Sequence, residues 1–172
     1  PFGEYLPLES FFHALGIDKL VNSPGGFSPG PGPRTLGVPG APLVSPLVCY
    51  EAIFPDQVTG SPRPKWLVNV TNDAWFGTFS GPYQHLLSVR VRAIEEGLPI
   101  VRAAGTGVSA IIDPLGRIDA ELGMDRMGVV DGTLPQALPP TFYAVHGDVL
   151  FAGLIVLFAG LAGFLLRPAN ER

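Results

Sequence analysis

An uninterrupted apolar run near the end of this 172-residue chain restricts its fold more than any other feature. The 18 residues from Val149 to Leu166 contain no charged side chain. As a helix this run would be about 27 Å long, close to the ~30 Å hydrocarbon core of a bilayer. A buried helix of a soluble protein usually keeps one polar face, which this run lacks. The run therefore predicts a transmembrane helix over residues 149–166.

Positive charges lie on only one side of the predicted span. Arg167 and Arg172 follow it, whereas no lysine or arginine lies between Arg126 and Val149. Because lysine and arginine are enriched in cytoplasmic loops, this asymmetry predicts a cytoplasmic C-terminus and an external location for the preceding residues.

The composition of the chain excludes several function classes. Charged residues make up 15%, and the net charge of −4 argues against a nucleic-acid partner, which would require a basic surface. The single cysteine, Cys49, excludes a disulfide within the chain and a zinc site built on several cysteines. No phosphate-binding glycine motif and no metal-ligand spacing of histidines or carboxylates occurs, so we expect no metal and no cofactor.

Short apolar segments before the span predict an α/β or α+β sheet protein. Apolar residues recur at helical spacing at Leu87, Val91 and Ile94, which predicts a helix over residues 83–96 that ends at Gly97. The sequence Asp113-Pro114-Leu115-Gly116 is typical of a type I turn between two strands. The predicted strands are residues 42–49, 66–70, 100–103, 108–112, 117–122 and 128–134.

Cys49 ends the first predicted strand, and residues 52–58 after it are compatible with a helix. The partial positive charge at a helix N-terminus favours the thiolate, and main-chain N–H groups there can stabilise an oxyanion. A buried structural cysteine fits this junction about equally well. The nearby Glu51 favours a reactive site, since an acid beside a thiol contributes little to packing.

A second polar cluster, Asn72, Asp73, Trp75 and Phe76, follows the second long predicted strand. Functional sites gather at strand C-termini in α/β sheets, so this cluster can line a pocket for an apolar ligand. The simpler alternative is an Asx turn followed by two packing aromatic residues, and the pattern alone favours it. His85 can be a general base, a helix cap or a surface group, and the last two are the more common roles.

Three segments of the chain together resemble one family: PFGEYLPLES at the start, CYEAIFPDQV around Cys49, and NVTNDAWFGTFSGPYQH from Asn69. They are similar to the C-terminal half of the apolipoprotein N-acyltransferases, membrane-integral members of the nitrilase superfamily. The resemblance implies a four-layer αββα sandwich. Its C-terminal part would occupy residues 1–143, and one transmembrane helix with a cytoplasmic tail would occupy residues 144–172.

The resemblance also implies a set of site residues. Cys49 matches the family's nucleophile, whereas the general base and a catalytic lysine would lie upstream of Pro1. We therefore expect the chain to be a segment of a longer enzyme and to be inactive alone. Glu4, Tyr50 and Glu51 match positions that are functionally important near the thiol. The residues expected to bind substrate are Trp75, Asn72, Phe76 and His85, and those expected to contact acyl chains are Phe11, Phe12, Phe76 and Phe79.

The implied reaction moves an acyl chain from a phospholipid, through a thioester on Cys49, to the N-terminal amine of a diacylglyceryl-cysteine lipoprotein. The implied partners are the phospholipid donor, the diacylated lipoprotein acceptor and the membrane. The implied location is the bacterial inner membrane, with the catalytic part in the periplasm. Two alternatives remain open: a membrane-anchored amidase of the nitrilase type, and a membrane-anchored interaction module without enzymatic activity.

Overall fold

The computed structural model describes residues 30–55 and 58–165, so Glu4, Phe11 and Phe12 lie outside the described residues. In these ranges a five-stranded sheet has its strands in the order of the chain. Neighbouring strands from β1 to β3 are parallel, and those from β3 to β5 are antiparallel. The strands are β1 (Val44–Val48), β2 (Trp66–Asn72), β3 (Ile100–Gly105), β4 (Ser109–Ile112) and β5 (Ile118–Leu122). The five predicted strands between residues 42 and 122 are thus confirmed.

The helix α1 (Gly81–Glu96) connects β2 to β3 and contributes to the core beside the sheet. It ends at Gly97, whose φ of +64° lies in the left-handed region that favours glycine. The predicted helix and its end are confirmed. The buried face consists of Leu86, Val89 and Ala93, however, whereas Leu87 and Ile94 of the predicted apolar stripe are exposed.

The hairpin between β4 and β5 has the predicted turn. The Gly116 N–H donates to the Asp113 carbonyl over 2.9 Å. The Asp113 carboxylate also accepts hydrogen bonds from the main-chain N–H groups of Leu115 and Arg117, at 2.9 and 2.8 Å. This side chain holds the turn closed, and the turn places β5 antiparallel to β4.

Two local predictions are wrong. Residues 128–134 form no strand; Gly132 lies so close to the Ile111 side chain that a Cβ there would overlap it, and Val129 is exposed. In place of a helix that begins at residue 52, a 3-10 turn, Cys49–Ile53, begins directly after β1. Residues 56 and 57 of the predicted helix lie outside the described ranges.

The chain continues into a short helix α2 (Phe142–His146) and a helix α3 (Val149–Leu165) whose residues are all exposed. None of the helices within residues 30–55 and 58–165 combines the length and the hydropathy needed to traverse a bilayer. The predicted span is therefore not confirmed: α3 is described over 17 residues, and Leu166, Arg167 and Arg172 lie outside the description. The described residues contain a mixed sheet with helices, and the predicted four layers are not complete among them.

Candidate active site

Cys49 lies at a sharp corner between β1 and the turn Cys49–Ile53. Its φ of +51° is in the left-handed region, which costs an L-residue with a Cβ about 1–2 kcal/mol. Strand-to-helix corners of this kind expose the nucleophile of α/β-hydrolases above the end of the sheet. The side chain is half-buried and forms no disulfide among the described residues. Cys49 thus combines a strand-to-turn corner with a partly exposed side chain, a geometry that is compatible with a nucleophile.

The two residues after Cys49 have distinct contacts. The Glu51 carboxylate accepts a hydrogen bond from the Val48 N–H at 2.6 Å, so it ties the turn that carries Cys49 to the end of β1. The Tyr50 ring packs against His85 and Phe76, with ring centroids 5.2 and 5.4 Å apart. Glu51 therefore has an observed structural role, while Tyr50 joins the corner to α1.

A buried polar network lies beneath this corner. His85 Nδ1 donates to Asp73 Oδ1 at 2.9 Å, and Arg102 Nη2 donates to the other carboxylate oxygen of Asp73 at 2.5 Å. Arg102 Nη1 donates to the Asn69 side-chain carbonyl, and Arg102 Nε donates to the Val108 carbonyl at 3.2 Å. The four side chains Asn69, Asp73, His85 and Arg102 are all buried. We call this set the buried network.

The buried network also explains why residue 107 is glycine. Gly107 lies so close to the Asp73 carboxylate that a Cβ at this position would overlap it. Glycine leaves room there for this buried carboxylate, which accepts hydrogen bonds from Thr71, His85 and Arg102. Gly107 therefore serves close packing against Asp73.

Burial sets the ionisation of His85. Desolvation lowers the pKa of His85 below its ordinary 6.5; the hydrogen bond to Asp73 opposes this shift, and the charge of Arg102 adds to it. The Cys49 main-chain carbonyl also favours the protonated ring, but no partner meets hydrogen-bond geometry at Nε2 among the described residues. His85 is therefore neutral at pH 7, and its interpretation as a surface group is wrong.

We expect the stability of the full-length protein to fall as the pH drops below 6.5, partly because of His85. The pKa of His85 is lower in the folded chain, so as the pH falls the unfolded chain takes up the proton first. The contribution of His85 to stability is therefore fully present above pH 6.5 and is lost as the pH falls from 6.5 to the pKa of the folded state. Thermal unfolding in small pH steps should show this loss, and a His85→Gln variant should show a shallower one. Equal slopes in both proteins would contradict the assignment.

The remaining predicted substrate residues occupy the turn Asp73–Phe76 and its start. Asn72 Oδ1 accepts from the Ala74 N–H at 3.1 Å, which confirms the Asx turn. Phe76 packs against His85 with ring centroids 5.7 Å apart, whereas Trp75 is 86% exposed. The structure thus brings Cys49, Tyr50, Phe76 and His85 together and leaves the Trp75 ring in solvent.

Sequence reasoning missed Asn69 and Arg102, and it considered Asp73 only as a pocket-lining or turn residue. The sequence did contain an indication of their role. Because side chains alternate between the two faces of a strand, Asn69 lies on the same buried face as Leu67, and Arg102 lies on the same buried face as Ile100. A polar residue at an inward position of a buried strand requires a partner. Two such residues in neighbouring strands therefore indicate a shared network.

A cavity of about 380 Å³ lies away from this corner, near the residues that precede β1 and β2. Its lining consists of Pro42, Lys65, Leu134, Pro135, Gln136 and Ala137. Because Cys49 follows the opposite end of β1, this cavity is not the site of the thiol chemistry.

Comparisons with known proteins agree with the geometry. Residues 19–139 match the carbon-nitrogen hydrolase family. The chain is 53% identical over 163 residues to the apolipoprotein N-acyltransferase of Bradyrhizobium diazoefficiens, covering 94% of this chain and 30% of that protein. It is 52% identical over 172 residues to the apolipoprotein N-acyltransferase of Rhodopseudomonas palustris, covering 99% of this chain and 32% of that protein. The chain thus spans about a third of the length of these relatives.

Among solved structures, an amidase from Nesterenkonia sp. has a TM-score of 0.51 with this chain at 20% identity. The match covers 74% of this chain and 49% of the amidase chain. At this identity the likeness supports a shared nitrilase-like fold and leaves the reaction open.

Proposed function

The chain belongs to the carbon-nitrogen hydrolase family, and we propose that within it this segment carries the catalytic cysteine of a lipoprotein N-acyltransferase. The observation that carries the proposal is the position of Cys49, in a left-handed corner directly after a parallel strand. The relatives named apolipoprotein N-acyltransferase, 52–53% identical over most of this chain, support the choice of reaction.

The proposed reaction has two acyl-transfer steps. In the first, the Cys49 thiolate attacks the carbonyl carbon of a phospholipid ester; a C–S bond forms, the ester C–O bond breaks, and the lysophospholipid leaves as an alcohol after it takes up a proton. In the second, the free α-amine of the diacylglyceryl-cysteine attacks the thioester. The C–N bond forms, the C–S bond breaks, the amine loses a proton and the thiolate is regenerated.

The roles of the other residues follow from their contacts. Glu51 keeps the corner attached to β1, and Tyr50 with Phe76 forms an aromatic wall beside Cys49. By the family resemblance, Glu4 supports the same centre, while the general base and the lysine come from residues before Pro1. The first half of the four-layer sandwich would come from the same upstream residues.

We place the full-length protein in the bacterial inner membrane, with the catalytic part on the periplasmic side. Two observations support this placement: α3 has no charged residue, and its side chains are exposed. Both proposed substrates are lipids, so a site near the bilayer surface would reach them without extracting them far into water. In this arrangement α3 belongs to a membrane span, and the residues that follow it are cytoplasmic.

The proposal can be tested with the full-length protein in detergent, a phospholipid labelled in its acyl chain, and a synthetic diacylated lipopeptide. We expect a hydroxylamine-sensitive acyl group on Cys49 and a lipopeptide heavier by one acyl chain. Ammonia release from amides without acyl transfer would favour the amidase alternative. The absence of both products, together with a thiol of ordinary reactivity, would favour an interaction module.

Trp75→Ala should impair lipid use without destabilising the protein. Because the Trp75 ring is 86% exposed, its removal should change the free energy of unfolding by less than about 0.5 kcal/mol. If the ring contacts an acyl chain, KM for the phospholipid should rise by about tenfold, which corresponds to ~1.4 kcal/mol of lost contact. Met127→Ala, at another exposed side chain, is the matched control. An unchanged KM in Trp75→Ala would remove this residue from the substrate site.

A further inference from the structure

The corner at Cys49 requires a restraint. A left-handed φ at a residue with a Cβ persists only when contacts with the surrounding structure hold it. Without them the chain would lower its free energy by relaxing to an extended or helical conformation. The Glu51 bond to the Val48 N–H holds one side of the corner. The main-chain carbonyls of Leu47 and Cys49, on either side of Val48, require a separate hydrogen-bond donor.

Asn69 supplies that donor. Its Nδ2 donates to the Leu47 carbonyl at 3.1 Å and to the Cys49 carbonyl at 3.2 Å. Leu47 and Asn69 are register partners in the parallel pair β1–β2, so the side chain lies directly beside the end of β1. One amide group thus spans the two residues on either side of Val48 and fixes the direction in which the chain leaves the strand.

Arg102 fixes Asn69 from the other side. Arg102 is the register partner of Asn69 in β3, and its Nη1 donates to the Asn69 side-chain carbonyl. That bond determines the orientation of the amide, because only with the oxygen toward Arg102 does the NH₂ group point toward the corner. Asp73 holds Arg102 in turn, with both side chains fully buried. The order of contacts therefore runs from Asp73 through Arg102 and Asn69 to the main chain of Cys49.

We propose that Asn69 is a positioning residue for Cys49: its amide, oriented by Arg102, holds the corner in the geometry in which the thiol reacts. This inference rests on the proposed function only for the identity of the reaction. The positioning itself concerns the reactivity of the thiol toward any electrophile.

Two substitutions in the full-length protein separate the donor from the acceptor of the Asn69 amide. Asn69→Asp keeps an oxygen for Arg102 but has no donor for the two carbonyls. Asn69→Leu has a similar size, lacks both groups and adds no charge, so a fall shared by both variants cannot come from the charge of the aspartate. Ser45→Ala is the matched control, because Ser45 is buried in β1 and its hydroxyl donates to the Arg34 carbonyl, its one partner in the described part of the chain, away from the corner.

The readouts are kcat and KM for acyl transfer, the second-order rate constant for alkylation of Cys49 by iodoacetamide, and the melting temperature. Misplacing a reacting group by about 1 Å costs on the order of 100-fold in rate. We expect both Asn69 variants to lower kcat by at least about tenfold with little change in KM, and to slow alkylation, while Ser45→Ala changes neither rate. Loss of folding alone would expose the thiol and accelerate its alkylation.

Normal kcat and alkylation in Asn69→Asp, or faster alkylation in both variants with a melting temperature equal to that of the wild type, would overturn the proposal. Slower alkylation in a protein without acyl transfer would retain the positioning role and refute the proposed reaction instead. If the Asn69 variants fail to fold, Arg102→Lys keeps a cation beside Asp73 but lacks the forked donor that orients Asn69. The same fall in kcat and in alkylation is then expected, and its absence counts against the proposal.

Discussion

Cys49→Ser in the full-length protein is expected to lower the rate of acyl transfer by about 10⁴-fold or more. A hydroxyl is far less ionised than a thiol at neutral pH, so it needs a general base to act as a nucleophile. His85 is buried under Tyr50 and Phe76, and within the described residues no hydrogen bond joins its ring to the Cys49 side chain. The serine would therefore lack an activating partner from the described part of the chain.

Intact-protein mass spectrometry after incubation with labelled phospholipid measures the acyl-enzyme directly. The variant should carry no label, and its melting temperature should match that of the wild type, because serine and cysteine are nearly the same size and the corner keeps its hydrogen bonds. Cys49→Ala serves as the control for background hydrolysis. A serine variant that turns over at the wild-type rate would exclude Cys49 as the nucleophile.

Arg102→Met should be among the most destabilising single substitutions in the described part of the chain. It removes the cation from Asp73 while both positions stay fully buried, and an uncompensated buried charge costs about 3–5 kcal/mol. Burial also lowers the pKa of Arg102, with the Asp73 charge opposing the shift, so the buried cation itself depends on this carboxylate.

Chemical unfolding of the full-length protein gives the change in free energy. Arg117→Met is the matched control. Its ion pair with Asp113 has an N–O distance of 2.7 Å, against 2.5 Å for Arg102 and Asp73, but the Arg117 side chain is 72% exposed, so the expected loss is below about 1 kcal/mol. Adding Asp73→Asn to Arg102→Met should recover part of the loss by removing the stranded charge. Equal effects of Arg102→Met and Arg117→Met would show that burial does not govern this pair.

The sequence predicted the parts of the fold that local pattern controls. Short apolar segments marked the strands, Gly97 marked the end of α1, and Asp113 to Gly116 marked the hairpin turn. The predicted strand at residues 128–134 failed because this segment packs Gly132 against the Ile111 side chain and pairs with no strand among the described residues, and a local apolar pattern does not reveal such packing. The buried face of α1 was also misassigned, since Leu87 and Ile94 have the right spacing but the sheet lies on the side of Val89 and Ala93.

The site residues also divide into those that a local pattern could predict and those that depend on strand pairing. Cys49 could be placed at a strand end because the strand itself was predictable. Glu51 followed from its position beside the thiol, and Tyr50 followed from the family resemblance. Asn69 and Arg102 could not be assigned because their function depends on the register of three strands that are distant in sequence. Strand register is a property of the paired sheet, and a single strand read alone does not contain it.

The strand order of the sheet has a consequence for how the protein is made. Since Leu47, Asn69 and Arg102 lie side by side only in the paired strands β1, β2 and β3, the restraint that Asn69 places on the corner at Cys49 forms only when all three strands have come together. Small domains form such long-range pairings cooperatively and late in folding. If Asn69 positions Cys49 as proposed, a nascent or partly folded chain carries a thiol that is not yet held in its reactive geometry, and that geometry forms only after the chain beyond Arg102 has been synthesised and the three strands have paired.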